Sequence, residues 1–275
     1  MKKIEIEEHK KILVEILKYI NDICIENDIK YSLTGGSLIG AIRHEGIIPW
    51  DDDIDIILTH NEYVKLINVL SKINNKRYKI LTHEINDSYF YPFAKLVDTK
   101  TILHEKNIKN IDDYGVYVDI FEYNCFPNNK IISKLHYNKI FFYKYLIGRY
   151  ATINKSSIKI SKKIMHFFID CLVKHIGITK IIQKYKQLNN KYNSKNTNYL
   201  VGNWCAYGIN KELQLKKNMD KYKIVKFENI EAMIFENYDE ILKTTFGNYM
   251  ELPPIEKRIT HHNTEIYWKD DDNEK

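Results

Sequence analysis

The sequence predicts an α+β fold, in which helices and strands alternate until a block of consecutive helices interrupts them. Apolar residues recur at helical spacing over 4–27, as expected of an amphipathic helix. Residues 53–58 alternate between acidic and aliphatic side chains, and the apolar stretch 115–121 also has a β pattern, so both predict strands. From 128 to about 193 the spacing of apolar residues is helical throughout. The chain therefore combines a sheet, intervening helices and a helical block.

Three regions follow from this pattern: a core at 1–127, a basic helical insertion at 128–198, and a segment at 199–275 that packs back on the core. Between residues 130 and 186 the chain carries 13 Lys and Arg residues and one acid, Asp170, a net charge of +12 in a chain of net charge +6. Basic helices rich in Phe, Tyr and Ile bind anionic membrane surfaces. The block predicts a peripheral contact with the inner membrane face; the alternative is a helical subdomain with a basic outer face.

Composition excludes several other classes of protein. The chain has 275 residues, of which 44% are hydrophobic, which is enough for a substantial core and too many for a disordered chain. It contains no run of about 18 apolar residues, and its charged N-terminus lacks the apolar centre of a signal peptide. The four cysteines include no CxxC pair, which argues against a zinc site and fits reduced thiols. We therefore expect a cytoplasmic protein.

Local patterns predict the remaining elements. Thr59 and Glu62 have the spacing of a capping box that opens a helix, with an apolar face at Tyr63, Leu66, Ile67, Leu70 and Ile73. Further strands are expected at 77–82, 89–97 and 101–104. Towards the C-terminus we expect a hairpin over 223–235 that turns at Glu228-Asn229, a helix over 238–246 that stops at Gly247, and a disordered acidic tail from about residue 269.

The stretch 31–58, YSLTGGSLIGAIRHEGIIPWDDDIDIIL, combines two features that are weak singly and informative together. A short apolar run meets Gly35, Gly36 and Ser37, and a helical pattern follows. A strand that ends in glycines and enters a helix presents backbone N–H groups to anions, and glycine allows a phosphate to approach the backbone closely. This half of the stretch predicts a phosphate-binding turn.

The other half of the stretch is acidic. Asp53 and Asp55 share one face of the predicted strand, roughly 7 Å apart, and Asp51 has the same parity. Like charges on one face repel unless a cation offsets them, and Mg²⁺ takes one or two carboxylates together with phosphate oxygens. Asp119, inside the apolar strand GVYVDIF, is a candidate third carboxylate; alternatively it lies on the exposed face of a one-sided sheet. Together the two halves predict a metal–nucleotide site.

These residues carry a resemblance to a known family. The run GGSLIGAIRHEGIIPWDDDIDI resembles the signature of the LicD family, the phosphocholine transferases of bacterial surface glycans. Three further segments agree with it in order: FAKLVD with a following Thr101, GVYVDIF, and FGNYMELPPIEKRITHH. The family belongs to the nucleotidyltransferase superfamily, and Fukutin-type transferases are related. The resemblance therefore implies a mixed β-sheet flanked by helices, with metal carboxylates on two strands.

The resemblance also implies roles for individual residues. Asp53, Asp55 and Asp119 match the catalytic acids that hold the metal, Mg²⁺ or Mn²⁺. Gly36 and Ser37, beside Gly35, match the turn next to the nucleotide phosphates. The candidates for neutralising phosphate charge or closing over the site are Arg43, Lys95, Arg258 and His261. His261 or a carboxylate such as Asp119 would be the general base. The chain departs from many relatives at Phe121-Glu122, where they have Phe-Pro, which puts the nearby acceptor surface in question.

The implied reaction uses a CDP-linked donor, most simply CDP-choline. A hydroxyl of a cell-surface glycan or glycolipid precursor, such as lipopolysaccharide or teichoic acid, attacks the phosphorus that bears choline, and CMP leaves. Ethanolamine, a phosphonate amine, glycerol or ribitol would also fit this scheme. Choline favours an aromatic cage, for which Trp50, Trp204 and Tyr207 are candidates.

Two other functions compete with this one. A nucleotidyltransferase would move a whole nucleotidyl group to a sugar, protein or small molecule and release pyrophosphate rather than CMP. A nucleic-acid-binding module could use the basic, aromatic-rich block at 130–186. It would leave the acids unexplained, because they repel phosphate in the absence of a metal. We therefore expect no nucleic-acid partner.

Overall fold

The computed structural model describes residues 1–153, 160–204, 207–260 and 264–270, with the side chains of 160–163 left out. The helices are α1 (Ile6–Glu26), α2 (Gly35–His44), α3 (His60–Leu70), α4 (Lys130–Ala151), α5 (Ile160–Ile176), α6 (Ile178–Asn190), α7 (Ile209–Glu212) and α8 (Tyr238–Phe246). The strands are β1 (Ser32–Leu33), β2 (Asp55–Thr59), β3 (Tyr78–Leu81), β4 (Ala94–Asp98), β5 (Thr101–Glu105), β6 (Tyr117–Phe126), β7 (Tyr199–Gly202), β8 (Gln214–Leu215), β9 (Tyr222–Phe227), β10 (Ile230–Phe235) and β11 (Thr264–Trp268). The α+β expectation is confirmed.

The main sheet is mixed and is centred on β6. Its strand order is β1-β2-β6-β4-β3, and β7 and β8 extend it from the far half of β6. The pairing of β2 with β6 is parallel, whereas β4 and β7 pair with β6 antiparallel. Because β2 pairs along 119–123 of β6, β4 and β7 must share the opposite edge of that strand. Two small antiparallel pairs, β9–β10 and β5–β11, complete the β structure.

The core lies on the side of the sheet that faces α1 and α3. Alternate side chains of β6, Val118 and Ile120, are fully buried beneath these two helices. The apolar face of α1 contributes a row of buried residues: Ile12, Leu13, Ile16, Leu17, Ile20, Ile23 and Cys24. The helical block belongs to the same core, because Ile140, Leu146 and Tyr185 fall within its contiguous buried cluster. The remaining side chains of β6 point to the opposite face of the sheet, where a site can form.

Most predicted elements are present, including α1, the hairpin with its turn at Glu228-Asn229, α8 with its end at Gly247, and three helices over the basic block. The predicted strand 89–97 is wrong over its first half, since β4 begins only at Ala94. Pro92 offers no N–H to a neighbouring strand, and Tyr89 and Phe90 are buried in an irregular segment instead. The acidic tail from 271 onward lies outside the described residues.

Three local predictions need correction. β2 begins at Asp55, so Asp53 precedes the strand that was expected to hold it. Thr59 is the N-cap of α3, but its hydroxyl makes no capping hydrogen bond to this helix, which the structure describes in full. Glu62 accepts from the backbone N–H of Lys30 instead, so the capping box does not form. α3 ends at Leu70, and Ile73 is exposed.

None of the helices in the described part of the chain combines the length and the hydropathy that a membrane span requires.

Candidate active site

Strand pairing brings two carboxylates and a lysine side by side at the centre of the sheet. Asp55 at the start of β2 is the Cα partner of Asp119 in β6, and Asp119 is the Cα partner of Lys95 in β4. Residues that are directly opposed on neighbouring strands point to the same face. The Lys95 Nζ atom lies 2.5 Å from Asp119 Oδ1. Asp119 therefore lies beside Asp55 on one face of the sheet, as a shared metal site would require.

This face forms the floor of a cavity of about 420 Å³. The predicted site residues that line it are Gly35, Gly36, Asp53, Asp55, Lys95 and Asp119. A carboxylate oxygen of Asp53 also lies within 4.8 Å of carboxylate oxygens of Asp51 and Asp52. The acids thus form a short arc that begins in the loop before β2 and ends in β6.

The arc carries more negative than positive charge. Burial and the neighbouring carboxylates of Asp53 and Asp119 raise the pKa of Asp55 well above its ordinary value, and the ammonium of Lys95 only partly opposes them. A carboxylate in such surroundings resists ionisation unless a cation is added. Because every donor is a carboxylate oxygen, the set suits a hard divalent ion such as Mg²⁺. The donor chemistry therefore suits the metal that the sequence predicts. Among the described residues, however, the three acids whose carboxylate oxygens all lie within 4.8 Å of one another are Asp51, Asp52 and Asp53, not Asp53, Asp55 and Asp119.

The N-terminus of α2 closes the cavity on one side. Thr34 is its N-cap, and Gly35 has a φ of +56°, a left-handed conformation that favours glycine. A Cβ atom at Gly36 would lie 2.4 Å from Asp51 Oδ2, so this glycine allows a carboxylate to approach the helix end. Ser37 is buried, and its Oγ accepts a hydrogen bond of 2.9 Å from the backbone N–H of Asp55. Ser37 therefore positions the start of β2.

Arg43 lines an adjoining groove that Asp53 and Asp55 also line. Arg43 Nη1 donates to the carbonyl oxygens of Tyr249 at 2.7 Å and Glu251 at 3.2 Å. It thereby holds the segment after α8 against α2. The Arg258 guanidinium lies 5.3 Å from the ring centroid of Trp50.

Burial and the charge of Arg258 lower the pKa of Arg43, so the two cations are close enough to interact. His261 lies outside the described residues.

Aromatic rings form the opposite wall of the cavity. Trp204 and Tyr207 line it as predicted, whereas Trp50 lies in the adjoining groove. Residues that line the cavity and that the sequence reasoning missed include Tyr91, Phe93, Glu105, Tyr117, Glu212 and Gln214. Strand parity could have revealed Phe93 and Tyr117, because each lies two residues before Lys95 or Asp119 and so points to the same face. The Lys95 Nζ atom lies 3.3 Å from the Tyr117 ring centroid.

Glu122, where the chain departs from many relatives, is turned away from this cavity. It has the opposite parity to Asp119, and its Oε2 atom lies 2.7 Å from His60 Nδ1. The departure therefore falls on the other face of the sheet and does not alter the cavity wall.

Comparison with known proteins shows the family of the chain. Residues 28–154 match the domain described as LicD/FKTN/FKRP, nucleotidyltransferase domain. Over 270 residues, 97% of this chain and 99% of the relative, the chain is 31% identical to lipopolysaccharide cholinephosphotransferase LicD of Haemophilus influenzae. A shorter match, 44% identical over 46 residues, covers 17% of this chain and 9% of human ribitol 5-phosphate transferase FKRP. An uncharacterised protein of Rickettsia typhi is 35% identical over 86 residues, 31% of this chain and 28% of that protein. The chain belongs to the LicD family.

Proposed function

We propose that the protein transfers a phospho-alcohol group, phosphocholine in the first instance, from a CDP-linked donor to a hydroxyl of lipopolysaccharide or a related surface glycan. The observation that carries this proposal is the row of Asp55, Asp119 and Lys95 across three neighbouring strands, opposite the N-terminus of α2. Carboxylates on two adjacent strands beside a glycine turn also support a nucleotidyltransferase-like arrangement of the sheet. The likeness to a cholinephosphotransferase along the whole chain points to this chemistry.

A divalent metal fits the acidic arc, and Asp53, Asp55 and Asp119 would hold Mg²⁺ or Mn²⁺. When bound, such an ion neutralises phosphate charge during phosphoryl transfer. The other parts of the site belong to the chain itself. Backbone N–H groups at the start of α2 favour the donor phosphates, and Gly35 and Gly36 keep that approach open.

Lys95 acts on the site through Asp119. Lys95 is 2% exposed and forms an ion pair with Asp119, so its ammonium fixes the orientation of that carboxylate. Both groups thus have defined positions before substrate binds. This preorganisation matters because phosphoryl transfer depends mainly on positioning and charge stabilisation.

The transfer itself is a single displacement. The acceptor oxygen forms a bond to the phosphorus that bears choline, the bond from that phosphorus to the CMP oxygen breaks, and CMP leaves with the electron pair. A carboxylate of the arc or His261 accepts the proton of the acceptor hydroxyl. The basic side chains of Arg43 and Arg258 flank the adjoining groove and suit the charge of the leaving group.

The aromatic wall supports choline over the other alcohols. Tyr91, Phe93 and Trp204 line the cavity, and aromatic faces attract quaternary ammonium groups. A ribitol donor carries no cation and would gain nothing from such a wall. CDP-ribitol is nevertheless one of the donors to be tested, because of the short match to a ribitol 5-phosphate transferase.

A donor panel tests the proposal. The protein would be incubated with Mg²⁺, a lipopolysaccharide acceptor, and CDP-choline, CDP-ethanolamine, CDP-glycerol or CDP-ribitol in turn, with CMP measured by chromatography. Fastest release of CMP from CDP-choline is expected. Release of pyrophosphate from a nucleoside triphosphate, without CMP from any donor, would show a nucleotidyltransferase instead.

A further inference from the structure

Helix α5 exposes its apolar side. Among its described side chains, the exposed large hydrophobic residues are Ile164, Met165, Phe167, Phe168 and Leu172. Phe167 and Phe168 are 63% and 66% exposed. At helical spacing these positions share one side of the helix. A surface helix of a globular protein normally turns such a side towards the core, so α5 has the reverse orientation.

Polar contacts on the inner side of α5 fix this orientation. Asp170 accepts two hydrogen bonds from Arg149 Nη2 of α4, at 2.8 Å and 2.7 Å. Val173, on the same inner side, is buried. The helix is therefore held to α4 through an ion pair that is 9% exposed at the arginine and 31% at the aspartate. The outward apolar side is a consequence of packing rather than of a loose helix.

The block that contains this helix is strongly basic in sequence. Residues 130–186 carry a net charge of +12, and their one acid, Asp170, is already paired with Arg149. The lysines Lys134, Lys139, Lys174 and Lys180 are exposed. Helix α4 adds Phe141 and Phe142, which are 52% and 46% exposed. Exposed apolar side chains in a block that carries charge of one sign indicate an interaction site.

Charge decides between the two candidate occupants of this surface. A second copy of the chain would bring two strongly positive blocks together, which is unfavourable. An anionic bilayer would attract the lysines and accept the aromatic side chains at its interface. We infer that the outward side of α5 docks the protein on an anionic lipid bilayer, with Phe167 and Phe168 inserted between the headgroups.

Helix α4 connects this docking surface to the cavity. The Lys144 Nζ atom of α4 lies 4.5 Å from the ring centroid of Trp204, which belongs to the aromatic wall. Helix α4 therefore contacts both the docking helix and the wall of the cavity. The docking itself is independent of the transferase chemistry.

Vesicle flotation tests the inference. The full chain would be mixed with phosphatidylcholine vesicles, with and without phosphatidylglycerol, at about 0.1 M and about 1 M NaCl. We expect binding to the anionic vesicles that falls at high salt and falls at least about tenfold in the double variant Phe167→Ser/Phe168→Ser. The matched control is Ile25→Ser/Ile224→Ser, since Ile25 and Ile224 are 60% and 53% exposed outside the block. It should bind as the unmodified protein does.

Three results would overturn the inference: no binding to anionic vesicles, equal binding by the Phe167→Ser/Phe168→Ser variant, or a dimer in analytical ultracentrifugation that this variant abolishes while vesicle binding is absent. A second double variant, Ile164→Ser/Leu172→Ser, should repeat the loss. An unchanged thermal transition and unchanged CMP release with a water-soluble acceptor would show that the variants remain folded. Failure of docking with intact CMP release would leave the proposed reaction standing.

Discussion

At the scale of single residues, Asp119 lies between Lys95 and Asp55 and so links the lysine to the acidic arc. It contacts Lys95 on one side and is the register partner of Asp55 on the other, and it is 9% exposed. A buried carboxylate needs a partner, and Lys95 supplies one. Burial and the neighbouring carboxylates of Asp53 and Asp119 raise the pKa of Asp55, and Lys95 opposes them only in part. The imbalance at Asp55 is the physical reason to expect a cation here.

Neutralising Asp55 should separate activity from stability. We expect Asp55→Asn to abolish CMP release. The same change should raise the free energy of unfolding of the metal-free protein by about 1 kcal/mol, because it removes repulsion from Asp53 and Asp119. Thermal melting without metal, together with the CMP assay, measures both effects. Asp113→Asn, at an exposed ion pair with Lys79, is the control and should leave activity unchanged. A loss of stability in Asp55→Asn would contradict this account.

His60 should give a pH-dependent contribution to stability. Its hydrogen bond to Glu122 raises the pKa of His60, although burial opposes this. The native state thus holds the proton more tightly than the unfolded state. The stabilisation is fully present below about pH 6.5 and is lost as the pH rises through the raised pKa. Below about pH 6.5 we expect His60→Gln to lower the free energy of unfolding by only about 0.5 kcal/mol, because His60 is partly exposed. Above the raised pKa the variant should lose almost no stability. Urea denaturation at several pH values would reveal the trend; a difference that is constant with pH would disprove it.

At the scale of elements, the N-terminus of α2 is the part of the site most sensitive to added volume. In Gly36→Ala the new Cβ would meet Asp51 Oδ2, and the flexible carboxylate would have to move. We expect kcat/KM for the donor to fall about tenfold or more, with little loss of stability.

The matched control for this change is Gly148→Ala. Gly148 lies inside α4 with open space around its Cβ position, so this variant should keep full activity and gain about 0.5 kcal/mol of stability. Steady-state kinetics and thermal melting compare the two alanine variants. Equal activity in both would mean that Gly36 has no role in the site.

Elements with a strong local pattern could be predicted from sequence, and elements defined by a distant partner could not. The period of α1 and the turn of the β9–β10 hairpin are encoded within a few residues. By contrast, β6 was predicted to end at Phe121 but continues to Phe126, because β7 pairs with its last residues. The residues of β7 are about 75 positions away in the chain, and no pattern near Phe121 predicts that they pair with β6. Tyr91 has the same parity as Lys95 in the predicted strand 89–97, so the sequence did contain a signal for it that was not used.

At the scale of the whole molecule, the helical block is inserted between two paired strands. Phe126 at the end of β6 is the Cα partner of Tyr199 at the start of β7, so the chain leaves the sheet and returns to the same place. The division into a core, an insertion and a C-terminal segment remains a prediction. The buried side chains of α4 and α6, such as Leu146 and Tyr185, join the apolar cluster beneath the sheet.

A chain from which the helical block has been removed should therefore not fold stably. Replacing 128–198 by Asn-Gly preserves the register of β6 and β7 but uncovers the part of the core that Leu146, Ile181 and Tyr185 fill. We expect the shortened chain to aggregate or to lose its cooperative thermal transition. Calorimetry of the two chains decides the matter. Cooperative unfolding of the shortened chain would show that the block is a separate domain.

The central claim is that Asp53, Asp55 and Asp119 share one divalent cation. The most direct test is anomalous diffraction from crystals grown with Mn²⁺. The account predicts one peak at coordination distance from carboxylate oxygens of all three residues, and loss of that peak in Asp119→Asn. A peak held by Asp51, Asp52 and Asp53, with Asp119 outside its coordination shell, would contradict it.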